Sequence, residues 1–152
     1  MDFQGTADIP TTRQEWVGIL AEARPEVVAR LAAQVEAMVN LEVTRSASQG
    51  LLLAMVEDSV EGNPFHPAEI LASTCEVRLD GRLGYGICLG GDLARARNAA
   101  AVDAALQAGL PVHQEILEVL AEERRWLRAI RREEREIVQS TRVHFDTMEP
   151  QR

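Results

Sequence analysis

The chain has 152 residues, 46% apolar and 26% charged, which suits one soluble domain with a real core and excludes an extended disordered polypeptide. A formal net charge of −8 sets it against nucleic acid, whose phosphates repel this balance. All 16 basic residues are arginines, so Schiff-base, phosphate-loop and Ser-Lys chemistry are excluded, while bidentate binding of phosphate or carboxylate is not.

Residues 1–10 read as a flexible leader, residues 11–148 as a single domain and residues 149–152 as a tail. Thr11 or Thr12 suits a helix N-cap, and Glu15 stands three residues after Thr12, the capping-box spacing. Trp16, Ile19, Leu20 and Ala23 then share one apolar face. Pro25 fits the first turn of a second helix, which carries Val27, Val28, Leu31, Val35 and Met38 and fades near Asn40.

The period then changes to two. Leu41, Val43, Arg45 and Ala47 alternate with Glu42, Thr44 and Ser46, which predicts a half-buried strand. Gly50 is expected to close a turn, with Leu51 to Val56 as a second, more central strand. Glu57 to Pro67, with Gly62-Asn63-Pro64, is expected to be a loop.

Parity sets the expected register of a second hairpin. Its apolar positions are Cys75, Val77 and Leu79, then Leu83, Tyr85, Ile87 and Leu89. A two-residue Asp80-Gly81 turn places the two sets on opposite faces. A three-residue loop, Leu79-Asp80-Gly81, unites them, and that loop is the expectation. Cys75 and Cys88 then point to opposite faces and form no disulfide.

Gly90-Gly91-Asp92 ends the strand and caps an alanine-rich helix with Leu93, Ala96, Ala99, Ala100 and Leu106 inward, stopping at Gly109. Pro111 opens a last helix reaching about Gln139, roughly 40 Å long at 1.5 Å per residue. A domain of this size has a radius of gyration of only about 15 Å, so this helix either breaks or projects. The expected fold is α+β: a four-stranded antiparallel sheet of two hairpins, with an N-terminal helix pair and two C-terminal helices packed on it.

Candidate chemistry is sparse. Gly84-Tyr85-Gly86 with Gly90-Gly91 has the wrong spacing for a dinucleotide fingerprint and follows a hairpin strand. His66, His113 and His144 are scattered, so neither metal nor cofactor is expected on this chain alone. Glu122 to Glu136 holds six arginines and five glutamates, which reads as a solvated helix face with internal ion pairs; Trp126 in its middle adds the alternative of a partner-docking helix. Arg45 lies on the apolar parity of its strand and Asp103 borders the inward stripe of its helix. A buried charge needs a partner, so Arg45 is expected to pair with Asp103, or with an acid of another subunit, ahead of a ligand-binding role. No span reaches the ~20 apolar residues of a membrane helix, and Met1 to Gly5 lacks signal-peptide features, so the cytoplasm is the expected compartment.

Four segments, in order, resemble one family. Thr12-Arg13-Gln14-Glu15-Trp16, followed by Leu20 and Ala23, resembles the opening of PhnG, a subunit of the bacterial carbon–phosphorus lyase. Glu42-Val43-Thr44-Arg45 with Gly50-Leu51 looks like that family's first hairpin, and Leu83-Gly84-Tyr85, Gly90, Asp92 and Asp103-Ala104 like its second hairpin and following helix. Thr141 to Met148 resembles its closing Ser-Arg-Val-Asp-Phe-Phe-Thr-Met motif, with His144 and Asp146 as departures. Gly91 stands where the family often has arginine, and Glu149-Pro150 replaces its usual continuation.

The resemblance implies a complex with PhnH, PhnI and PhnJ, and work alongside PhnL. Its implied reaction displaces adenine from ATP, carried with Mg, by a phosphonate, giving a ribose 1-phosphonate 5-triphosphate. A separate radical step on PhnJ, with an iron–sulfur cluster and S-adenosylmethionine, then breaks the C–P bond. Catalytic residues are not assigned; Arg13, Arg45, Asp103, Trp126 and Arg142 are the candidate charge or interface residues, and PhnI is the expected source of the catalytic groups. The alternative is a non-enzymatic helical interaction module unrelated to phosphonates.

Overall fold

The computed structural model describes residues 8–58 and 61–141. In chain order these form α1 (Arg13–Glu22), α2 (Pro25–Met38), β1 (Glu42–Glu57), β2 (Pro64–Leu79), β3 (Arg82–Leu89), α3 (Leu93–Ala108) and α4 (His113–Ser140). The sheet is antiparallel with order β1-β2-β3.

The α+β character holds, but the sheet has three strands, not four. Gly50 is no turn: it sits inside a continuous 16-residue β1, paired with Ala72. Nothing lies within 4 Å of where its Cβ would be, so this glycine is tolerated in a strand without bending it into a hairpin. The expected loop is shorter than Glu57–Pro67, because β2 starts at Pro64. The reversal between β1 and β2 is closed by Asp58, whose N–H donates to the Asn63 carbonyl (3.0 Å).

The β2–β3 turn also differs from expectation. Leu79 pairs with Arg82, leaving Asp80-Gly81 as a two-residue turn with φ of 48° and 76°. Two positive φ values are the type I′ pattern that matches strand twist. Cys75, Val77 and Leu79 therefore share a face with Gly84, Gly86 and Cys88, so the two cysteines lie on the same face, both buried and both free. Leu83, Tyr85, Ile87 and Leu89 occupy the face turned away from α3, where Leu83 and Tyr85 stand beside Arg13, Gln14 and Val17 of α1.

Small residues are the reason. A Cβ on Gly84 would stand 2.3 Å from the Ala100 carbonyl oxygen, and one on Gly86 1.9 Å from that of Ala96. The sheet thus presents bare backbone to α3, and α3 answers with Ala96, Ala100 and Ala104. The far side of α3, with Ala99, Val102, Ala105 and Leu106, packs on Leu20, Val28, Leu31, Ile116 and Leu120 of the other helices. Every residue of α3 from Ala99 to Leu106 is buried, Asp103 included.

The helix ends follow their caps. Thr12 and Glu15 form the reciprocal capping box of α1. Pro25 opens α2, the Asp92 carboxylate accepts from Arg95 N–H (2.9 Å) at the start of α3, and Gly109 ends it in the left-handed region. The last helix does not break: α4 runs 28 residues, and everything from Arg131 to Ser140 is exposed.

Candidate functional site

Asp103 is the most connected side chain. It is wholly buried in the middle of α3. Arg13 reaches it from the first turn of α1, with Nη2 2.7 Å from Oδ2 and Nε 3.2 Å from Oδ1. Trp16 Nε1 donates to Oδ1 (2.8 Å), while Tyr85 N–H and Gln107 Nε2 donate to Oδ2 (2.9 and 3.1 Å). The Leu83 carbonyl takes Arg13 Nη2 and Gln107 Nε2. One carboxylate and two long side chains thereby satisfy main-chain groups of β3 and tie α1, α3 and the sheet together. Arg13, Gln14, Val17, Leu83 and Tyr85 line an open groove beside this cluster.

Arg45 is not the partner of Asp103. It is two-thirds exposed, and its guanidinium lies 3.4 Å from Glu76. The alternation of β1 breaks at register shifts on both sides of Arg45: Val43 pairs with Val77, but Arg45 with Glu76. The shift turns Arg45 to the face away from α3, where simple parity placed it inward.

A second buried acid escaped the sequence reading. Glu123 on α4 is almost fully buried and accepts from Arg24 N–H (3.0 Å) and from Arg24 Nε and Nη2. Burial pushes its carboxyl up, but the hydrogen bonds and charge of Arg24 outweigh that and hold it below the usual value. The same guanidinium stacks over Trp126, 5.1 Å from the ring centroid. Trp126 is thus partly engaged within the chain and 37% exposed. The missed signal was periodicity: Glu123 falls on the line of Ile116, Leu120 and Leu127.

Four arginines of α4 dock it onto the N-terminal segment. Arg124 meets Glu15 (3.1 Å), Arg125 and Arg128 meet Asp8, and Arg131 meets Glu22. The ion pairs found on this face run to the N-terminal segment, not between residues of the helix as expected. Arg142 and the Thr141–Met148 motif, apart from Thr141, lie outside the described residues.

No assembled catalytic group appears among the described residues, and no group of three or more His, Cys, Asp or Glu side chains there is arranged to hold a metal. Burial pushes the Cys75 and Cys88 thiols up, away from the thiolate that would ligate one. No helix among the described residues is long and apolar enough to cross a membrane. What the molecule offers is surface: Leu51, Leu52, Leu53, Met55, Val56 and Phe65 stand exposed on the outer parts of β1 and β2.

Comparison with known proteins gives this architecture a family. Residues 11–150 match the family model described as phosphonate metabolism protein PhnG. The chain is 33% identical, over 97% of its own length and 96% of the relative's, to a protein of Rhizobium meliloti (strain 1021) named alpha-D-ribose 1-methylphosphonate 5-triphosphate synthase subunit PhnG. Similarity that spans both chains end to end carries the whole domain, and this chain belongs to the PhnG family of phosphonate metabolism proteins.

Proposed function

We propose that this chain is a subunit of an alpha-D-ribose 1-methylphosphonate 5-triphosphate synthase, acting in the cytoplasm as a structural component of the carbon–phosphorus lyase machinery. The observation that carries this reading is the end-to-end similarity to the Rhizobium meliloti synthase subunit. The expected partners are PhnI, PhnH and PhnJ, with PhnL associated in the synthase step. ATP with Mg and a phosphonate are the substrates of the assembly, and the iron–sulfur cluster and S-adenosylmethionine belong to PhnJ.

The side chains support a scaffolding role. Displacement at the ribose anomeric carbon needs groups that stabilise an oxocarbenium-like transition state and a triphosphate. The two arginines that reach buried acids, Arg13 and Arg24, are engaged by Asp103 and Glu123 of the same chain. PhnI is the expected source of the catalytic groups.

Co-expression with PhnI, PhnH and PhnJ tests the reading. The full chain is expected to copurify with PhnI, and a preparation lacking it to lose phosphonate-dependent release of adenine from ATP when PhnL is supplied. A stable monomer with no affinity for PhnI would overturn it and favour a helical interaction module unrelated to phosphonates.

A further inference from the structure

The sheet does not end where its third strand does. β3 finishes at Leu89 opposite Ala72, and beyond that point β1 and β2 continue as a two-stranded arm, residues 51–57 against 64–71. At about 3.4 Å per residue the arm extends roughly 24 Å past the three-stranded sheet. A two-stranded ribbon standing alone in water is marginal.

Both faces of this arm carry exposed apolar side chains. Direct antiparallel partners share a face, so Leu51, Leu53 and Leu71, with Glu69 opposite Leu53, lie on one and Leu52, Ala54, Ala68 and Ile70 on the other. Leu51 and Leu53 are 62% and 61% exposed; Leu52 and Ile70, across the ribbon, are 41% and 38% exposed. A strand with one covered face alternates apolar and polar, whereas a near-continuous apolar run belongs to a strand covered on both. A flat partner surface covers one face. Two covered faces require a cleft.

Charge selects the occupant. From Ser46 to Val77 there is no arginine or lysine, while Glu57, Asp58 and Glu61 gather at the outer end of the arm. The turn there is built: Gly62, at a φ of 70°, donates its N–H to the Asp58 carbonyl (2.9 Å). A second copy of this chain would bring a net charge of −8 to that acidic tip. Many of its cations are also engaged by its own carboxylates: Arg13 by Asp103, Arg24 by Glu123, Arg97 by Glu36, Arg124 by Glu15 and Arg131 by Glu22.

We propose that the β1–β2 arm is an insertion element, received on both faces by an apolar cleft with a basic rim at its far end, on another subunit of the synthase. This rests on the subunit reading above, and deepens it by naming the element and the chemistry of its receptor.

The test uses the full chain co-expressed with the other subunits. Leu52→Glu and Leu53→Glu place a carboxylate on opposite faces at exposed positions, so each free variant should melt with wild-type. Burying that carboxylate in an apolar cleft should weaken assembly about tenfold or more for each variant. Backbone amides of the arm should gain hydrogen-exchange protection in the complex. Glu57→Arg with Glu61→Arg should slow association, most at low salt. If only one of the leucine variants weakens assembly, the arm lies on a flat surface and the cleft is wrong. If neither does while the wild-type complex forms, the arm is not an interface, though the subunit reading stands. Unchanged association of the arginine variant would remove the basic rim. A free wild-type dimer that the leucine variants dissociate would assign the arm to a second copy and overturn the proposal. Failure of wild-type chain to assemble at all would instead sink the subunit reading, and the receptor with it.

Discussion

Arg13 and Asp103 are 90 residues apart in sequence, yet Nη2 of one stands 2.7 Å from Oδ2 of the other at the contact of α1 with α3. The pair is asymmetric: the Arg13 side chain is half exposed, whereas that of Asp103 is wholly buried. Removing the acid should therefore hurt more than removing the base. Asp103→Leu leaves Trp16 Nε1 and the Tyr85 N–H without their acceptor and is expected to cost about 3 kcal/mol or more. Arg13→Met leaves three donors on the carboxylate and is expected to cost about 1–2 kcal/mol. Urea denaturation of the two variants, with tryptophan fluorescence as one probe, checks the order.

The contact of α3 with β3 allows an opposite pair of glycine tests. Gly86→Ala pushes a methyl carbon into the Ala96 carbonyl and should cost about 3 kcal/mol or prevent folding. Gly18→Ala lies on the exposed side of α1 with nothing within 4 Å, and should stabilise by about 0.5–1 kcal/mol by restricting the unfolded chain. Their melting temperatures should move in opposite directions from wild-type.

Acid should loosen the N-terminal helix in a defined window. The N–H groups of Thr11 and Thr12, then the Thr11 hydroxyl, hold the Glu15 carboxyl down to about 2, from 4.5 in the unfolded chain. A depressed folded pKa means that this contribution is fully present above about pH 4.5 and is lost as pH falls through about 2. Glu15→Gln should thus be less stable than wild-type at pH 7, with the difference shrinking steadily below pH 4.5. Thermal melts of both proteins at pH 7, 4 and 2 test the sign.

Arg45 should be dispensable for folding. Its side chain is two-thirds exposed, and the ion pair with the half-buried Glu76 is loosely spaced at 3.4 Å. Arg45→Met is expected to change stability by less than about 0.5 kcal/mol, measured by denaturant midpoint. Synthase activity lost from an assembled complex carrying that variant would then report a contact outside this chain.

The helices were readable because their signals are local. Thr12 with Glu15, Pro25, Asp92 and Gly109 each act within one turn, and each stands at the end it predicts. The sheet was misread where size mattered more than polarity. Parity alone unites the large residues Leu83, Tyr85, Ile87 and Leu89 with the core, but the closest approach of α3 demands glycine there, so the small set faces inward and the large set outward. Arg45 was misplaced for a related reason: a register shift reverses facing without leaving a mark in hydropathy. Asp103 was identifiable as a buried charge needing a partner, while the identity of that partner depends on how α1 folds back across the chain. Glu123 was present in the pattern and was absorbed into a charged run.

α3 belongs to two cores at once. One side closes the sheet layer through Ala96, Ala100 and Ala104; the other completes the helical layer through Ala99, Val102 and Ala105. Neither layer keeps its interior if that helix leaves, and alanine-rich α3 has too little apolar area to hold its place against one layer alone. The domain therefore has no natural line along which to come apart in halves. Sheet and helix bundle should melt in a single transition, leaving only the outer arm and the exposed end of α4 free to open on their own.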